Sequence, residues 1–417
     1  MWRYRAKTDL DGYVHTLRSR LVGRGYSQVV GVNYDLILFS PVARMVTFRV
    51  VIAVIVKLRL VLYEGDIDTA YLNASLQIRQ HLNQALHGLH ESGAEWFAEV
   101  DKFLKSQGFH STETEPCLYA RYQEGLFSLI PLYVDDVVLA TNSAQYKTAL
   151  FAAFDKKYGL KDGGKEKYCS EVLELFGFDA THGSATPMET NAKFTSRTED
   201  DEVSSFDYRA VIGSLMYLAT SKRPDIAFSV GYLSRFVSNT SKKHCGAVRQ
   251  IMRYLVATKR QGTKFSGGKE KLADKINSII GFVRTIIGGA VVWAARRQTI
   301  TALSTAEAKC VAGFVAMAEV HGITNMLDEV LKTIQIYTEL TLGVDNNAAI
   351  TLAKHLLTAV ELVILNSEQI TKGLLELYKV DDTHNLADML TKALPMRSLA
   401  KYRDDIGMSS SLESGSS

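Results

Sequence analysis

The sequence is poor in cysteine, with four among 417 residues. The four lie far apart without paired spacing, which argues against a zinc site or a disulfide framework and fits a reducing compartment. They are Cys117, Cys169, Cys245 and Cys310.

The chain also lacks a long apolar run. Its most apolar stretch, Val50–Val56, is far shorter than the roughly 20 residues that span a bilayer. The N-terminus is basic and no apolar segment follows it, so no signal peptide is visible. These absences predict an intracellular chain without a membrane partner.

The chain has little net charge. Its formal net charge is +3, with 47% hydrophobic and 22% charged residues. This balance is typical of a globular protein, and it permits a nucleic-acid partner without requiring one. The length leaves room for two or three domains with cores of their own.

Local positive charge is concentrated in residues 1–25. Asp11-Gly12 between Trp2–Thr8 and Tyr13–Val22 predicts a β-hairpin. Guanidinium groups on such a ribbon suit phosphate contact. A solvated basic edge that discourages aggregation is an equally good interpretation.

Two adjacent carboxylates, Asp135 and Asp136, interrupt an otherwise apolar stretch. The flanking runs, Leu126–Tyr133 and Val137–Ala140, predict two strands joined by a tight turn. Neighbouring buried carboxylates raise each other's pKa unless a cation neutralises them, so the turn is a candidate divalent-metal platform. The alternative is an ordinary hairpin whose acids face water.

A third acid, Asp66, follows a predicted strand at Leu58–Tyr63 and could meet this hairpin from a neighbouring strand. Asp68, two residues further on, is expected to be a solvated acid in a first helical turn. Upstream, Ser40-Pro41 predicts the start of a buried helix over Val42–Val56.

Several blocks, in this order, resemble the reverse transcriptase region of copia-type (Pseudoviridae) retrotransposon polyproteins, and the resemblance runs from about residue 2 to residue 407. Each block is weak alone, whereas the ordered set is specific. The blocks in the first half are Arg18–Gln28, Gly31–Tyr34, Phe39–Arg44, Asp66–Asn73, Leu86–Leu89, Trp96 and Tyr133–Asp136.

The resemblance implies a multidomain α+β and α/β chain, in which a fingers–palm polymerase fold precedes a ribonuclease H-like α/β domain. It implies that Asp66, Asp135 and Asp136 hold two Mg²⁺ (or Mn²⁺) ions for phosphoryl transfer. Tyr71 would lie beneath the sugar and exclude a ribose 2′-hydroxyl, although a core aromatic role is compatible with that position. Arg18 and Arg20 would clamp the incoming triphosphate.

The implied partners are an RNA template, a DNA primer, an RNA–DNA hybrid and deoxynucleoside triphosphates. The implied location is a cytoplasmic particle, the nucleus, or both. The implied segments are 1–183 for fingers and palm, 184–268 for a helical connection, 269–407 for the ribonuclease H-like domain and 408–417 for a disordered tail. In the third segment, similarity assigns three of four metal-binding carboxylates to Glu307, Asp345 and Asp388.

The sequence departs from the family pattern at four places. The link Ala74–Ala85 is short, Glu91 replaces an expected glutamine, and the hairpin expected after Asp162 is largely missing. The first ribonuclease H aspartate is also missing, and Asp274 is its nearest candidate. Two interpretations follow: a reverse transcriptase with a weakened ribonuclease, or an inactive remnant of a longer or decayed polyprotein that at most binds nucleic acid.

Overall fold

The structure is a computed structural model. It describes residues 1–8, 14–34, 39–76, 84–162, 182–198, 206–265, 273–279, 281–295, 305–336, 339–344, 347, 350–351 and 376–410. The chain divides into two compact units, one made of residues 1–166 and 326–336 and the other of residues 167–325 and 337–417. The finer division into four segments stays a prediction.

The first unit begins with a two-stranded ribbon. Strand β1, Trp2–Thr8, pairs antiparallel with β2, Val14–Leu21, which confirms the predicted hairpin. Residues alternate between the two faces of a strand, so the register places Arg3 opposite Arg20 on one face and Trp2 opposite Leu21 on the other.

The main sheet of this unit has six antiparallel strands in the order β4-β5-β6-β7-β3-β8. Their bounds are β3 Val61–Ile67, β4 His110–Ser111, β5 Leu118–Gln123, β6 Leu126–Tyr133, β7 Asp136–Thr141 and β8 Leu160–Asp162. Three helices accompany the sheet: α1 Met45–Leu58, α2 Ser92–Ser106 and α3 Ala144–Tyr158. Aromatic side chains of α2 and α3 pack with apolar strand residues to form the core, among them Trp96, Phe103, Phe154, Ile130 and Leu139.

Two predicted boundaries in this unit were wrong. Helix α1 begins at Met45 and not at Ser40-Pro41, because the preceding segment is extended and the Ala43 amide donates to the Leu132 carbonyl at 3.1 Å. The following strand begins at Val61, since the helix continues to Leu58. After α3, the chain reverses at Gly159, whose φ is +73°, into β8.

The second unit combines helices with a five-stranded sheet. Its helices are α4 Tyr208–Ser221, α5 Ala227–Leu233, α6 Lys242–Ala257 and α8 Met396–Asp405, while α7, Thr305–Leu331, belongs to it up to residue 325. The sheet order is β12-β11-β10-β13-β14, in which β10 runs antiparallel to β11 and parallel to β13. Its strands are β10 Ala273–Ile279, β11 Gly281–Ile286, β12 Gly289–Ala295, β13 Glu339–Val344 and β14 Glu376–Lys379.

One hydrophobic core serves both predicted segments of this unit. It joins Leu215 and Leu255 of the helices to Trp293 and Leu390 of the later part, and the Trp293 indole donates to the Ala219 carbonyl at 2.7 Å. His244 is buried and forms a capping box with Ser241 at the start of α6.

The described part of the chain ends in a short strand, at the position where the predicted tail begins. Residues Met408–Ser410 form β15, which pairs with β9, Gln261–Thr263. The rest of the predicted tail lies outside the described residues. Among the helices of the described ranges, none combines the length and hydropathy needed to cross a membrane.

Candidate active site

Asp66 lies beside the turn that carries Asp135 and Asp136, where β3 ends and β7 begins. Asp66 lies directly opposite Asp136 in the antiparallel pair, and the Ile67 amide donates to the Asp135 carbonyl at 2.8 Å. Residues directly opposite one another have Cβ atoms about 4.5–5.5 Å apart. The structure therefore brings Asp66 to the Asp135–Asp136 turn, and all three residues are exposed.

The turn that carries these acids is held in an unusual conformation. Val134 has a φ of +54°, which is rare for a β-branched residue. The buried Trp96 indole donates to the Val134 carbonyl at 2.7 Å, and the Leu132 amide donates to the Cys117 carbonyl at 2.8 Å. Such strain persists only where the surroundings fix it, so helix α2 and strand β5 set the position of the turn.

Nearby charges shift the pKa of Asp66 in opposite directions. Partial burial, together with the charges of Asp135 and Asp68, raises the pKa of Asp66, while Lys161 lowers it. Lys161 lies opposite Asp66 in β8 and forms a 2.6 Å ion pair with Asp68. Asp136, Asp66 and Lys161 thus form a row across three strands, and Asp68 is paired with this lysine where a solvated acid was expected.

Beside the turn lies a cleft of about 370 Å³. It brings together three residues that similarity had selected: Arg20 of the ribbon, Tyr71 and Asp135. Tyr71 belongs to a short 3₁₀ helix, Ala70–Asn73, and burial plus the charge of Asp135 raises its pKa. The Arg18 side chain lies outside the described residues, and its backbone pairs with that of Arg5.

Two residues of this site escaped the sequence interpretation. His87 lines the cleft with its ring centroid 4.6 Å from that of Tyr71. It belongs to the matching block Leu86–Leu89, so that block was the available signal. Lys161 is identified only by strand pairing, for which the sequence carries no local signal.

Comparisons with known proteins agree with this arrangement. Residues 1–81 and 78–170 match the model of the family described as reverse transcriptase (RNA-dependent DNA polymerase). The chain is 28% identical to the retrovirus-related Pol polyprotein from transposon TNT 1-94 of Nicotiana tabacum, over 98% of this chain and 35% of that protein. It is 22% identical to the Pol polyprotein from transposon RE2 of Arabidopsis thaliana, over 98% and 32% respectively.

Over 98% of its length the chain is thus similar to Pol polyproteins of copia-type retrotransposons. It spans about a third of the length of the curated Pol polyproteins it matches. Among solved structures, it is similar to a foamy viral protease-reverse transcriptase in complex with an RNA/DNA hybrid, at 12% identity and a TM-score of 0.48, over 88% of this chain and 49% of that one.

Glu91 is not among the residues that line the cleft. Its side chain is buried, with 5% exposed, and accepts hydrogen bonds from Gln28 Nε2 at 2.8 and 3.1 Å. Gln28 Oε1 in turn accepts from the His90 amide at 2.9 Å. The carboxylate therefore anchors the segment after the ribbon to the start of α2 and is satisfied there.

Replacing Glu91 with the glutamine expected in the family should leave nucleotide use nearly unchanged. Because Glu91 is absent from the cleft lining, we expect the KM for a deoxynucleoside triphosphate to change by less than about twofold. Stability should fall by about 1 kcal/mol, because one charge-assisted hydrogen bond is lost. Steady-state kinetics and thermal unfolding measure both effects. A tenfold lower KM would show that Glu91 repels the triphosphate after all.

Of the three predicted ribonuclease H carboxylates, the structure describes the side chain of one. Asp388 is described: it is 7% exposed, sits in a 3₁₀ helix, Leu386–Leu390, and its carboxylate pairs with Lys392 at 2.7 Å. Asp345 and the side chain of Glu307 lie outside the described residues, although the Glu307 backbone belongs to α7.

The register of β10 separates Asp274 from the end of β13. Asp274 pairs with Leu340, whereas Ser278 pairs with Val344, the residue before Asp345. Four strand residues span about 13 Å. The β10 residue level with the end of β13 is therefore Ser278, and whether Asp274 serves as the fourth carboxylate stays a prediction.

Proposed function

We propose that the first unit carries out reverse transcription, adding deoxynucleotides to a DNA primer on an RNA template. One observation carries this proposal: Asp66 and Asp136 are paired where β3 ends and β7 begins, with Asp135 in the adjoining turn beside a cleft. In this proposal the β1–β2 ribbon belongs to the fingers and the six-stranded sheet to the palm.

Asp66, Asp135 and Asp136 are the residues that would hold Mg²⁺. Carboxylate oxygens are suitable ligands, and the charge of Asp135 that raises the pKa of Asp66 is one that a cation would compensate. In the described part of the chain, no group of three or more acidic, histidine or cysteine side chains could hold a metal ion by itself. Mg²⁺ commonly takes one or two carboxylates plus substrate phosphates.

When bound, the metal would supply a stabilised 3′-oxygen nucleophile and neutralise charge on the phosphates. Residues of the chain bind and orient the nucleotide. Arg20, with Arg18 on the same strand, binds the triphosphate through bidentate contacts. The half-buried Tyr71 ring lies beneath the sugar and limits space at its 2′ position.

We propose that the ribonuclease H-like part of the second unit cleaves RNA in a hybrid weakly or not at all. The register of β10, which puts Ser278 where a carboxylate ligand would be needed, supports this. Three carboxylates bind a divalent cation less tightly than four, since each ligand contributes charge and coordination.

Primer extension tests the polymerase proposal directly. The chain is incubated with a labelled DNA primer on an RNA template, the four deoxynucleoside triphosphates and Mg²⁺ or Mn²⁺. We expect template-dependent extension. A folded sample that binds the primer–template and extends nothing would overturn the proposal and favour the second candidate.

That second candidate is a protein that binds nucleic acid without catalysis. The ribbon favours it, because the register places Arg3 opposite Arg20 and Arg5 opposite Arg18. Like charges directly opposite each other destabilise a strand pair, and a phosphate backbone between them would offset that repulsion.

Replacing both Arg3 and Arg20 with glutamine should therefore weaken binding of single-stranded RNA and lower its salt dependence. Each lost phosphate contact reduces the slope of log K against log salt by about 0.7 for single strands, so we expect a decrease of about 1.4. Fluorescence anisotropy at several salt concentrations measures the slope. An unchanged slope would show that these arginines do not contact the backbone, and Lys156→Gln on the exposed face of α3 serves as the control.

A further inference from the structure

The Tyr71 ring is enclosed on its core side. It packs against the core of the first unit, and the small void that it shares with Trp96, Leu132 and Val134 has a volume of only about 10 Å³. A void of that size is barely sufficient for one water molecule. Among the described residues, the void therefore gives the ring little room to move, whereas the cleft that it also lines has about 370 Å³.

On the cleft side, the Tyr71 ring meets His87. The two ring centroids are 4.6 Å apart, with the planes inclined by 58°. The backbone of His87 is fixed as well, because the Gly23 amide at the end of the ribbon donates to the His87 carbonyl at 2.7 Å. The hydrogen bond from Gly23 thus fixes the backbone that carries the imidazole, and the imidazole limits the movement of the Tyr71 ring.

We propose that His87 is a positioning residue for nucleotide selection, whose ring holds Tyr71 against the core and so sets how strongly the cleft rejects a ribose 2′-hydroxyl. This rests on the proposed function, in which Tyr71 lies beneath the sugar. A pocket discriminates weakly against one added hydroxyl unless its wall is held rigidly. The substrate class is accordingly a deoxynucleoside triphosphate, selected by two rings acting together.

The chain offers a matched control for this contact. His90 lies against Tyr34 with the same centroid separation, 4.6 Å, but outside the cleft. His90→Ala thus removes an equivalent exposed histidine–tyrosine contact, and the hydrogen bond from its backbone amide to Gln28 is retained. His87→Phe retains a ring beside Tyr71.

The test compares kcat/KM for dUTP and UTP, which differ only at the 2′ position, on a template of repeated adenosines. In His87→Ala we expect the preference for dUTP to fall about tenfold, which corresponds to about 1.4 kcal/mol, chiefly through a higher kcat/KM for UTP. His87→Phe and His90→Ala should keep the preference within about twofold. In a Tyr71→Ala background, His87→Ala should have no further effect on the preference. An equal decrease for both nucleotides in His87→Ala would overturn the proposal.

Equilibrium dialysis separates this inference from the polymerase proposal. Binding of labelled dUTP and UTP to the chain with primer–template is measured in Ca²⁺, without extension. If the wild-type chain extends no primer yet binds dUTP more tightly, and His87→Ala removes that difference, the polymerase proposal fails and the role of His87 stands. If the wild-type chain binds the two nucleotides equally or binds neither, the role of His87 is overturned.

Discussion

Primer extension should fall by about 1,000-fold when Asp135 and Asp136 are both replaced by asparagine. The change removes two negative charges where cations and phosphates would meet, and a metal ion contributes several kcal/mol to phosphoryl transfer. Each 1.36 kcal/mol corresponds to a tenfold change in rate. The fold should be retained, because both side chains are exposed and asparagine is close to isosteric with aspartate.

The measurement is single-turnover extension on an RNA template, with circular dichroism to verify folding. Glu124→Gln is the matched control, since Glu124 is an exposed acid with a positive φ at the turn of the neighbouring β5–β6 hairpin. Its rate should equal that of the wild type. Equal rates for wild type and the double variant would show that this turn does not hold the metal.

The largest expected loss of stability lies in the second unit. The Arg223 guanidinium, 2% exposed, donates to both carboxylate oxygens of Asp225 at 2.8 and 2.9 Å, and it also donates to the carbonyl and hydroxyl oxygens of Thr258. Tyr254 donates to Asp225 at 2.7 Å and accepts from Arg403 at 3.0 Å. The network links the segment after α4 to helices α6 and α8.

Arg223→Ala leaves the Asp225 carboxylate buried without its main partner, which costs about 3–5 kcal/mol. Urea unfolding followed through Trp293, the buried tryptophan of this unit, measures the loss. Lys392→Ala removes an ion pair whose lysine side chain is 58% exposed, and it should cost less than about 1 kcal/mol. A similar decrease in the free energy of unfolding for the two variants would show that the buried Arg223–Asp225 pair contributes no more than the exposed Lys392 pair.

The loss of stability in Arg223→Ala should depend on pH. Burial alone would raise the pKa of Asp225, but Arg223 and Tyr254 together hold it below its ordinary value. A depressed native pKa stabilises the fold above the unfolded pKa, near 4, and this contribution is lost as the pH falls through the native pKa. The difference between wild type and Arg223→Ala should therefore shrink at acidic pH.

The hairpin at Asp135–Asp136 was predictable, because alternation and turn residues are local signals. Its pairing with Asp66 was expected from the place of that acid after a predicted strand and from the family resemblance. The start of α1 was not predictable, since the Ala43 amide bonds to a strand far along the chain. Lys161 and Ser278 likewise acquire their meaning only from strand register, which one sequence does not encode locally. The buried bonds of Glu91 to Gln28 cross 63 residues and could not be anticipated.

The alternation along the β1–β2 ribbon also limits how the element can change during evolution. Because side chains alternate with a period of two, one inserted or deleted codon in β2 would move Arg20 from the face it shares with Arg3 to the face of Trp2. Substitutions alter one position at a time, whereas such a length change reverses every position beyond it. Homologous chains should therefore tolerate point mutations in the ribbon far better than single-residue insertions or deletions.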